Sequence, residues 1–150
     1  MALVCVLIVA GIFAGELWIK NKVDGSGSRK LPESIWGGRI LLRRYHNKGA
    51  ALNLGQHRSR AVAAVSVALC IGLTVVFLFS FGQKGNRLLQ LGLAFLLGGA
   101  YSNTYDRLKR KYVVDYFSFH VKWKPLRNIV FNLADFCIAV GAMLIVIGEA

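Results

Sequence analysis

Long apolar runs alternate with polar, basic segments along this chain. An apolar run of about 20 residues is long enough to cross the hydrocarbon core of a bilayer as a helix. The second run of this chain carries no charge, and the first is broken only by Glu16. The pattern predicts a membrane protein that is mainly α-helical, a bundle of four transmembrane helices in which residues 1–150 form one domain. The predicted helices cover residues 2–19, 61–82, 88–105 and 128–148.

The first run could instead be a cleaved signal peptide. A signal peptide has basic residues before its apolar part and a small-residue cleavage site after it. Residues 2–19 have neither feature. We therefore interpret them as a transmembrane helix.

Two longer polar segments, residues 20–60 and 106–127, separate the runs. The first is longer than an ordinary connection, and its early part, residues 21–34, is rich in turn formers and predicted to be mobile. Its later part mixes apolar and basic residues without a helical stripe. In the second segment, residues 115–123 alternate between apolar and polar, which predicts a short amphipathic strand at the membrane surface. Together these segments predict a small surface subdomain that contains β-structure. The strand's apolar side would carry Phe117, Phe119, Val121 and Trp123, and its polar side Ser118, His120 and Lys122.

Composition agrees with a membrane location. The chain is 55% hydrophobic, with a mean hydropathy of +0.50 and a formal net charge of +12. Such a charge could indicate nucleic-acid binding, but no basic helix or aromatic–basic motif accompanies it, so we expect no nucleic-acid partner. Anionic membrane lipids are the better match for basic segments at a membrane surface.

Cysteines and histidines give no sign of a metal site. The three cysteines each lie inside an apolar run, which predicts buried thiols without disulfides or metal. The three histidines are scattered and predicted to lie in loops, which favours a surface role. We therefore predict that the protein needs neither a metal nor another cofactor. These residues are Cys5, Cys70 and Cys137, and His46, His57 and His120.

Acidic residues are rare, and three lie where the third and fourth runs meet the segment between them: Asp106, Asp115 and Asp135. If the third run crosses outward and the fourth returns, Asp115 and Asp135 can converge at one membrane face. Two carboxyl groups that lie close together share a proton, so that one acts as a base and the other as an acid. Peptide hydrolysis by an activated water requires such a pair.

A simpler interpretation of an aspartate near a helix start is a helix cap or an ion pair. Asp106, next to Arg107, fits that interpretation. Asp115, within the apolar string VVDYF, and Asp135, one turn into the fourth run, fit it poorly. Patterns typical of serine hydrolases, zinc proteases and phosphate-binding loops do not occur in the sequence.

Several strings resemble, in order, the motifs of the lipoprotein signal peptidase (signal peptidase II) family. Each string is weak evidence alone, but their order and spacing along nearly the whole chain are specific. The chain therefore looks like a divergent member of this family of aspartic membrane proteases. The strings are NKGAA at 47–51, GAYSNTYDR at 99–107, VVDY at 113–116 and FNLAD at 131–135.

The resemblance implies that Asp115 and Asp135 form the catalytic dyad. It implies that Asn47 and Arg107 contact the substrate, a prolipoprotein whose cysteine carries diacylglycerol and which is cut just before that cysteine. We expect the protein to act as a monomer. The residues that the resemblance places around the site, lining or bracing it, are Asn47, Gly49, Asn103, Asp106, Arg107 and Asn132.

The first run departs from the family pattern. The family usually has an aspartate four residues before a lysine near the end of the first helix, and here the pair is Glu16 and Lys20. The spacing still allows an ion pair along one helix face, with one more methylene in the acid.

Two arguments about orientation disagree. Of 19 basic residues, 10 lie between Lys20 and Arg60 and 7 between Arg107 and Arg127, which by the positive-inside rule places both segments in the cytoplasm. The resemblance implies the opposite: a bacterial cytoplasmic membrane protein with cytoplasmic termini and a site facing outside. We favour the resemblance, because basic residues folded onto the membrane surface also gain from anionic headgroups.

Two other functions are compatible with parts of the pattern. A non-catalytic relative would bind lipidated peptides without cutting them, yet both candidate catalytic carboxyl groups are present. A small proton-coupled transporter would have acidic groups near mid-bilayer and interrupted helices in paired halves. Because the acidic residues cluster at one predicted membrane face, the sequence favours the protease.

Overall fold

The computed structural model describes residues 1–25, 31–50, 54–82 and 86–149. Within these ranges the chain is mainly helical and has a small antiparallel sheet, which confirms the predicted mixture of a helical membrane part with a β-containing part. The elements in chain order are α1 (Ala2–Gly25), β1 (Glu33–Ile35), β2 (Ile40–Asn47), a 3-10 turn (Gln56–Arg58), α2 (Ser59–Ser80), α3 (Arg87–Lys109), β3 (Val113–Phe119), α4 (Lys124–Arg127) and α5 (Leu133–Glu149).

Helix α3 lies at the centre of the bundle and packs against α1, α2 and α5. Its buried residues Leu93, Ala94 and Leu97 form a core with Cys5 of α1 and Phe77 of α2. Many apolar side chains of α1 and α2 point outward instead. Outward apolar surface of this kind suits helices that are surrounded by lipid.

Glycines let the backbones of α3 and α5 touch. A Cβ added at Gly99 would lie 2.5 Å from the carbonyl oxygen of Ala134, and one added at Gly141 would lie 2.5 Å from that of Gly92. In a membrane the hydrophobic effect does not drive helices together, so they associate largely through close packing of small residues such as these. The contact sets the position of the first turn of α5 against α3.

Polar contacts join α2 to α3 within the bundle. The hydroxyl groups of Thr74 and Tyr101 lie 2.6 Å apart, and the Sγ of Cys70 lies 3.2 Å from the Oγ1 of Thr104. Buried hydroxyl and thiol groups without partners would be costly in apolar surroundings. In these pairs, the polar side chains of α2 and α3 provide each other with hydrogen-bond partners.

Among the described residues, two helical segments are long and apolar enough to cross a membrane. They are α1 and the segment Gln56–Ser80, which includes α2. Helix α5 is apolar but shorter, and α3 carries a polar C-terminal half. Two of the four predicted spans thus meet this criterion.

The sheet has the order β1-β2-β3 with antiparallel pairing throughout. β2 pairs with β3 from Ile40 opposite Phe119 to Asn47 opposite Val113. An irregularity between Leu42 and Tyr45 inserts an extra residue into β2 and changes which of its side chains face each side of the sheet. This register places the end of β2 beside the start of β3, close to Asp115.

The predicted strand at residues 115–123 has the wrong limits. β3 begins earlier and ends at Phe119, and the short helix α4 follows it. Pro125 sits in the first turn of α4, where its fixed φ and missing N–H are tolerated but would not fit a strand ladder. Ser118, which was predicted to face away from the apolar side, is fully buried.

The segment at residues 20–60 has more regular structure than its sequence indicated. α1 continues to Gly25, and β1 and β2 lie where no strand was predicted. The irregularity in β2 interrupts its alternation, which explains why its pattern was missed. His46 lies in β2, so the prediction that it lies in a loop is wrong. Of the stretch predicted to be mobile, residues 26–30 lie outside the described residues.

Helix α5 starts later than the fourth apolar run. Residues 128–132 are not helical, and Phe131 pairs with Phe117 as an isolated bridge beside β3. The backbone N–H and C=O groups of Phe131 both bond to Phe117. Since this bridge holds Phe131 beside β3, the helix begins only at Leu133.

Candidate active site

Asp115 and Asp135 are held by one asparagine. Asp115 lies in the middle of β3, and Asp135 lies in the first turn of α5. The side-chain amide of Asn132 donates to the Oδ1 of Asp115 at 2.7 Å, and the backbone N–H of Asn132 donates to the Oδ2 of Asp135 at 3.0 Å. The strand and the helix therefore present their carboxyl groups to the same place.

Asn132 and Asp135 also cap α5. The backbone N–H of Asp135 donates to the Oδ1 of Asn132 at 3.0 Å, which completes a reciprocal capping box. The prediction that Asp135 is poorly placed for capping is therefore wrong, because the helix begins at Leu133 and not at residue 128. Capping occupies one carboxyl oxygen of Asp135 and fixes the direction of the other.

Two further asparagines donate to these carboxyl groups. The Nδ2 of Asn47, at the end of β2, lies 3.2 Å from the Oδ2 of Asp115. The Nδ2 of Asn103, on α3, lies 3.1 Å from the Oδ1 of Asp135. Amide donors favour the ionised form of a carboxyl group without adding a full charge to the site. Each carboxyl group therefore has two nitrogen donors, one on each oxygen.

Arg107 connects α3 to the turn that follows β2. Its guanidinium donates to the carbonyl oxygens of Gly49 at 3.2 Å and Asn103 at 3.3 Å. The backbone N–H of Gly49 in turn donates to the Oδ1 of Asn47 at 3.0 Å. The Nε of Arg107 is buried and has no hydrogen-bond partner within the part of the chain that the structure describes. Arg107 thus supports the turn that holds Asn47.

A cavity of about 470 Å³ opens beside the two carboxyl groups. Much of its lining is apolar and comes from α2, α3 and α5. A cavity with a few convergent polar groups and an otherwise apolar lining suits an amphiphilic ligand. Its polar lining includes Asn47, Asn103, Arg107, Asp115 and Asp135, and its apolar lining includes Leu69, Leu73, Leu96, Ala100 and Ile138.

Burial raises the pKa of Asp115 to about 7, and the neighbouring charge of Asp135 contributes to the increase. The amides of Asn47 and Asn132 act in the opposite direction but are the weaker influence. Asp115 therefore keeps its proton up to near neutral pH. At neutral pH, Asp115 and Asp135 can therefore hold one proton between them.

Lys20 is the centre of a second, fully buried cluster behind the carboxyl groups. Its ammonium lies 3.1 Å from Glu16 and 3.2 Å from Asp106, and it donates to Ser102 and Asn103, both at 2.9 Å. Glu16, Lys20 and Asp106 do not border the cavity. They influence the carboxyl groups through Asn103. Lys20 bonds to the side-chain amide oxygen of Asn103, and this bond directs the amide nitrogen of Asn103 toward Asp135.

The sequence position of Asp106 suggested an ion pair with the neighbouring Arg107, but the structure shows other partners. Asp106 pairs with Lys20 and, at 3.1 Å, with the Nε of Arg110, and its Oδ2 accepts the backbone N–H of Val114 at 3.2 Å. Residues one apart on a helix point in different directions, whereas residues four apart lie on one face. Asp106 therefore fastens the start of β3 to α3.

Tyr116 was missed by the sequence analysis. Its hydroxyl donates to the Oε1 of Glu16 at 2.6 Å and accepts the backbone N–H of Leu133 at 3.0 Å, so it joins α1, β3 and α5. Alternation along a strand could have shown that Tyr116 and Asp115 face opposite sides. It could not have shown that α1 supplies the partner.

Comparisons with known proteins identify the family of this chain. Residues 3–149 match the family model of signal peptidase (SPase) II. The lipoprotein signal peptidase of Clostridium novyi (strain NT) is 35% identical over 144 residues, which cover 94% of this chain and 93% of that protein. The lipoprotein signal peptidase of Burkholderia ambifaria (strain MC40-6) is 42% identical over 106 residues, 69% of this chain and 62% of that protein.

Solved structures share the fold. A bacterial membrane enzyme determined by the in meso method at 2.3 Å resolution has a TM-score of 0.78 at 20% sequence identity, covering 97% of this chain and 87% of its own. A second, determined at 1.9 Å, has a TM-score of 0.74. The resemblance seen in the sequence motifs is thus confirmed over almost the full length, and the chain, an integral membrane protein, belongs to the signal peptidase II family.

Proposed function

We propose that this protein is an aspartic endopeptidase that removes the signal peptide from diacylglyceryl-modified prolipoproteins by cutting before the lipidated cysteine. Asp115 and Asp135 are the catalytic dyad. The observation that carries the proposal is that Asn132 binds both carboxyl groups at the edge of a cavity with a largely apolar lining. Family membership supplies the reaction, and this arrangement supplies the groups to perform it.

The dyad works as an acid–base pair. The ionised carboxylate removes a proton from a water molecule, whose oxygen attacks the scissile carbonyl carbon, while the protonated carboxyl group gives its proton to the carbonyl oxygen. The resulting gem-diol intermediate then breaks its C–N bond: the leaving amine takes the proton held by one carboxyl group, and the other carboxylate takes a hydroxyl proton from the intermediate, which leaves a carboxylic acid and restores the dyad. Asn47 and Asn103 keep the carboxyl groups in place through this cycle.

The rest of the cavity suits a lipidated substrate. The apolar side chains of α2, α3 and α5 accept the signal-peptide helix and the acyl chains, which would be unfavourable in water. Asn47 and Arg107 both line the cavity, and their side chains are the proposed contacts for the substrate. Glu16, Lys20 and Asp106, which do not border the cavity, support the site without touching the substrate.

The transporter alternative has no observation in its favour. Asp115 lies on a strand and Asp135 in the first turn of a helix, so neither lies midway along a helix as a proton relay through the membrane requires. A relative that binds without cutting is also disfavoured, because both carboxyl groups are present and oriented.

A gel-shift assay tests the proposed reaction. Purified protein in detergent is mixed with a prolipoprotein that carries diacylglycerol on its cysteine and, separately, with the unlipidated precursor. We expect a smaller product only from the lipidated precursor, with a new N-terminus at the modified cysteine. Cleavage of neither precursor would reject the proposed function, and cleavage elsewhere in the chain would reject the proposed cut site.

We further propose that the protein works as a monomer in the bacterial cytoplasmic membrane and crosses it four times, with both termini in the cytoplasm. The sheet and the dyad then lie outside, where precursors arrive after translocation. Arg39 and Arg44 are exposed on the β2 side of the sheet, and Lys122 is exposed beyond β3. Such residues would contact anionic lipid headgroups.

Thiol labelling distinguishes the two orientations. A cysteine in place of Ser34, exposed in β1, should react with a membrane-impermeant thiol reagent on intact spheroplasts, and one in place of Gly82 should react only after lysis. The native cysteines are buried, and Cys5→Ala removes the one nearest a chain end. The opposite labelling pattern would place the dyad in the cytoplasm and contradict both the topology and the substrate.

Activity should fall at alkaline pH. Because the pKa of Asp115 is raised to about 7, its proton is lost as the pH rises through that value, and the dyad then lacks its acid. We expect kcat/KM to fall by about tenfold per pH unit above this point.

The contribution of Asp115 to the free energy of unfolding changes over a different pH range. Its protonated form favours the folded state, so this contribution declines between about pH 4 and pH 7 and is constant above pH 7. Rates and unfolding temperatures from pH 5 to pH 9 separate the two effects, and a flat rate profile above pH 7 would contradict the prediction.

A further inference from the structure

A cluster of polar side chains away from the cavity joins the end of α1 to the sheet. Asp24, next to the last residue of α1, is its centre. The Nε2 of His46 lies 2.8 Å from its Oδ1, and its Oδ2 accepts from the hydroxyl of Tyr112 at 3.0 Å and from Arg110 at 3.2 Å. We call Asp24, His46, Arg110 and Tyr112 the Asp24 cluster. None of these four residues borders the cavity.

His46 is held on two sides within this cluster. Its ring edge meets Asp24, and its face stacks on the ring of Tyr112 with centroids 4.0 Å apart and planes at 24°. A carboxylate only accepts hydrogen bonds, so the Nε2 of His46 carries the proton in this contact. Both the direction and the rotation of the His46 side chain are therefore fixed.

His46 immediately precedes Asn47, which donates to Asp115. In the register of the sheet, His46 lies opposite Val114 and Asn47 opposite Val113. Successive side chains of a strand point to opposite faces, so one face of this strand end holds the Asp24 cluster and the other holds the site. Fixing His46 therefore also fixes the backbone that carries Asn47.

The end of β2 needs this support. β1 pairs with β2 only as far as Leu42, and the pairing of β2 with β3 is irregular between Leu42 and Tyr45. Beyond that point, the described residues of β2 pair with β3 alone. In this part of β2, the side chain of His46 contacts Asp24 of α1, and the Nε of Arg44 donates to the carbonyl oxygen of Val23 at 3.0 Å.

We propose that His46 is a positioning residue for the hydrolytic reaction: fastened to Asp24 and Tyr112, it holds the end of β2 so that Asn47 stays within hydrogen-bonding distance of Asp115. The inference rests on the proposed function, because it takes Asp115 as catalytic. Loss of His46 leaves Asp24 bonded to Arg110 and Tyr112, so the junction of α1 with α3 persists. What is lost is the contact of His46 with Asp24 and Tyr112, while the bond from Arg44 to Val23 remains.

Two substitutions of His46 separate its geometry from its bulk. The amide nitrogen of glutamine reaches the position of Nε2, which bonds to Asp24, whereas that of asparagine reaches only the position of Nδ1. We expect His46→Asn to lower kcat on the order of tenfold with little change in KM, because a small displacement of a site residue is costly to the reaction. His46→Gln should keep most of the activity. His120→Ala, at an exposed histidine just beyond β3, is the control and should behave as the unchanged protein.

The pH profile gives a readout that a loss of stability would not change. The Asn47 amide lowers the pKa of Asp115, so an enzyme in which Asn47 has moved away should lose activity at a higher pH than the unchanged protein. We expect this displacement of the alkaline limb in His46→Asn and its absence in His46→Gln and His120→Ala. Unfolding temperatures of all variants show that the comparison is made on folded protein.

The possible outcomes are distinguishable. Unchanged kcat and an unchanged alkaline limb in His46→Asn would overturn the positioning role, as would an equal loss of kcat in His46→Asn and His46→Gln. In either case, an inactive Asp115→Asn protein would show that the proposed function still stands. An active Asp115→Asn protein would instead remove the proposed function itself.

Discussion

We expect Asp115→Asn and Asp135→Asn each to yield a folded protein that cleaves prolipoprotein at least about a hundredfold more slowly than the unchanged chain. The reaction needs one carboxylate to take a proton and one carboxyl group to give one, and an amide does neither. Since the two groups act as a unit, the double variant should be little worse than either single variant. The gel-shift assay with lipidated precursor measures all three.

Stability should change far less than activity in these variants. Each carboxyl group accepts a hydrogen bond on both of its oxygens, and an asparagine keeps only one of those acceptors. The lost bond costs about 1 kcal/mol. Glu33→Gln, which removes an exposed carboxylate on β1, is the matched control and should retain full activity. A rate above about a tenth of the unchanged protein in Asp115→Asn or Asp135→Asn would contradict the dyad, because that is a barrier change below about 1.4 kcal/mol.

Lys20→Met should be the most destabilising single change in the bundle. The lysine is fully buried and bonds to two buried carboxylates, those of Glu16 and Asp106, and it directs the amide of Asn103. Methionine fills a similar volume but leaves both carboxylates without their cation. Removing one partner of a buried ion pair costs about 3–5 kcal/mol. We therefore expect a lower yield of folded protein, a lower unfolding temperature and reduced cleavage by whatever folds.

Lys22→Met provides the control for this change. Lys22 lies on the same helix, is exposed and contacts the ring of Trp18, so its loss should be nearly neutral. Unfolding of both variants is followed in the same detergent. If Lys20→Met and Lys22→Met unfold at the same temperature, the buried cluster does not support the bundle in the way its geometry indicates.

The positions of the helices were largely readable from the sequence. An apolar run can be recognised from consecutive residues alone, because it reflects their burial or their contact with lipid. Each predicted run coincides with most of a helix. The ends were less accurate: α1 continues to Gly25, and α5 starts at Leu133. Helix ends depend on what caps them, and the cap of α5, Asn132, directly follows Phe131, which pairs with β3.

The sheet was readable only in part, because its pairing is nonlocal. β3 was recognised by alternation, although its limits were wrong, whereas β1 and β2 were missed. The irregularity between Leu42 and Tyr45 breaks the period of two that sequence patterns depend on. Only the folded register shows that Asn47 ends beside Asp115.

Sequence patterns were enough to predict the class of protein, the approximate helices, the family and, through the family motifs, the residues around the two carboxyl groups. The partner of each charged residue could be seen only in the folded chain. Asp106 pairs with Lys20 and Arg110 and not with its neighbour in sequence, and Asp135 both caps α5 and faces the cavity. The physical reason is that charge pairing and carboxyl orientation depend on distances of a few ångströms between residues far apart in the chain, and helix packing sets those distances.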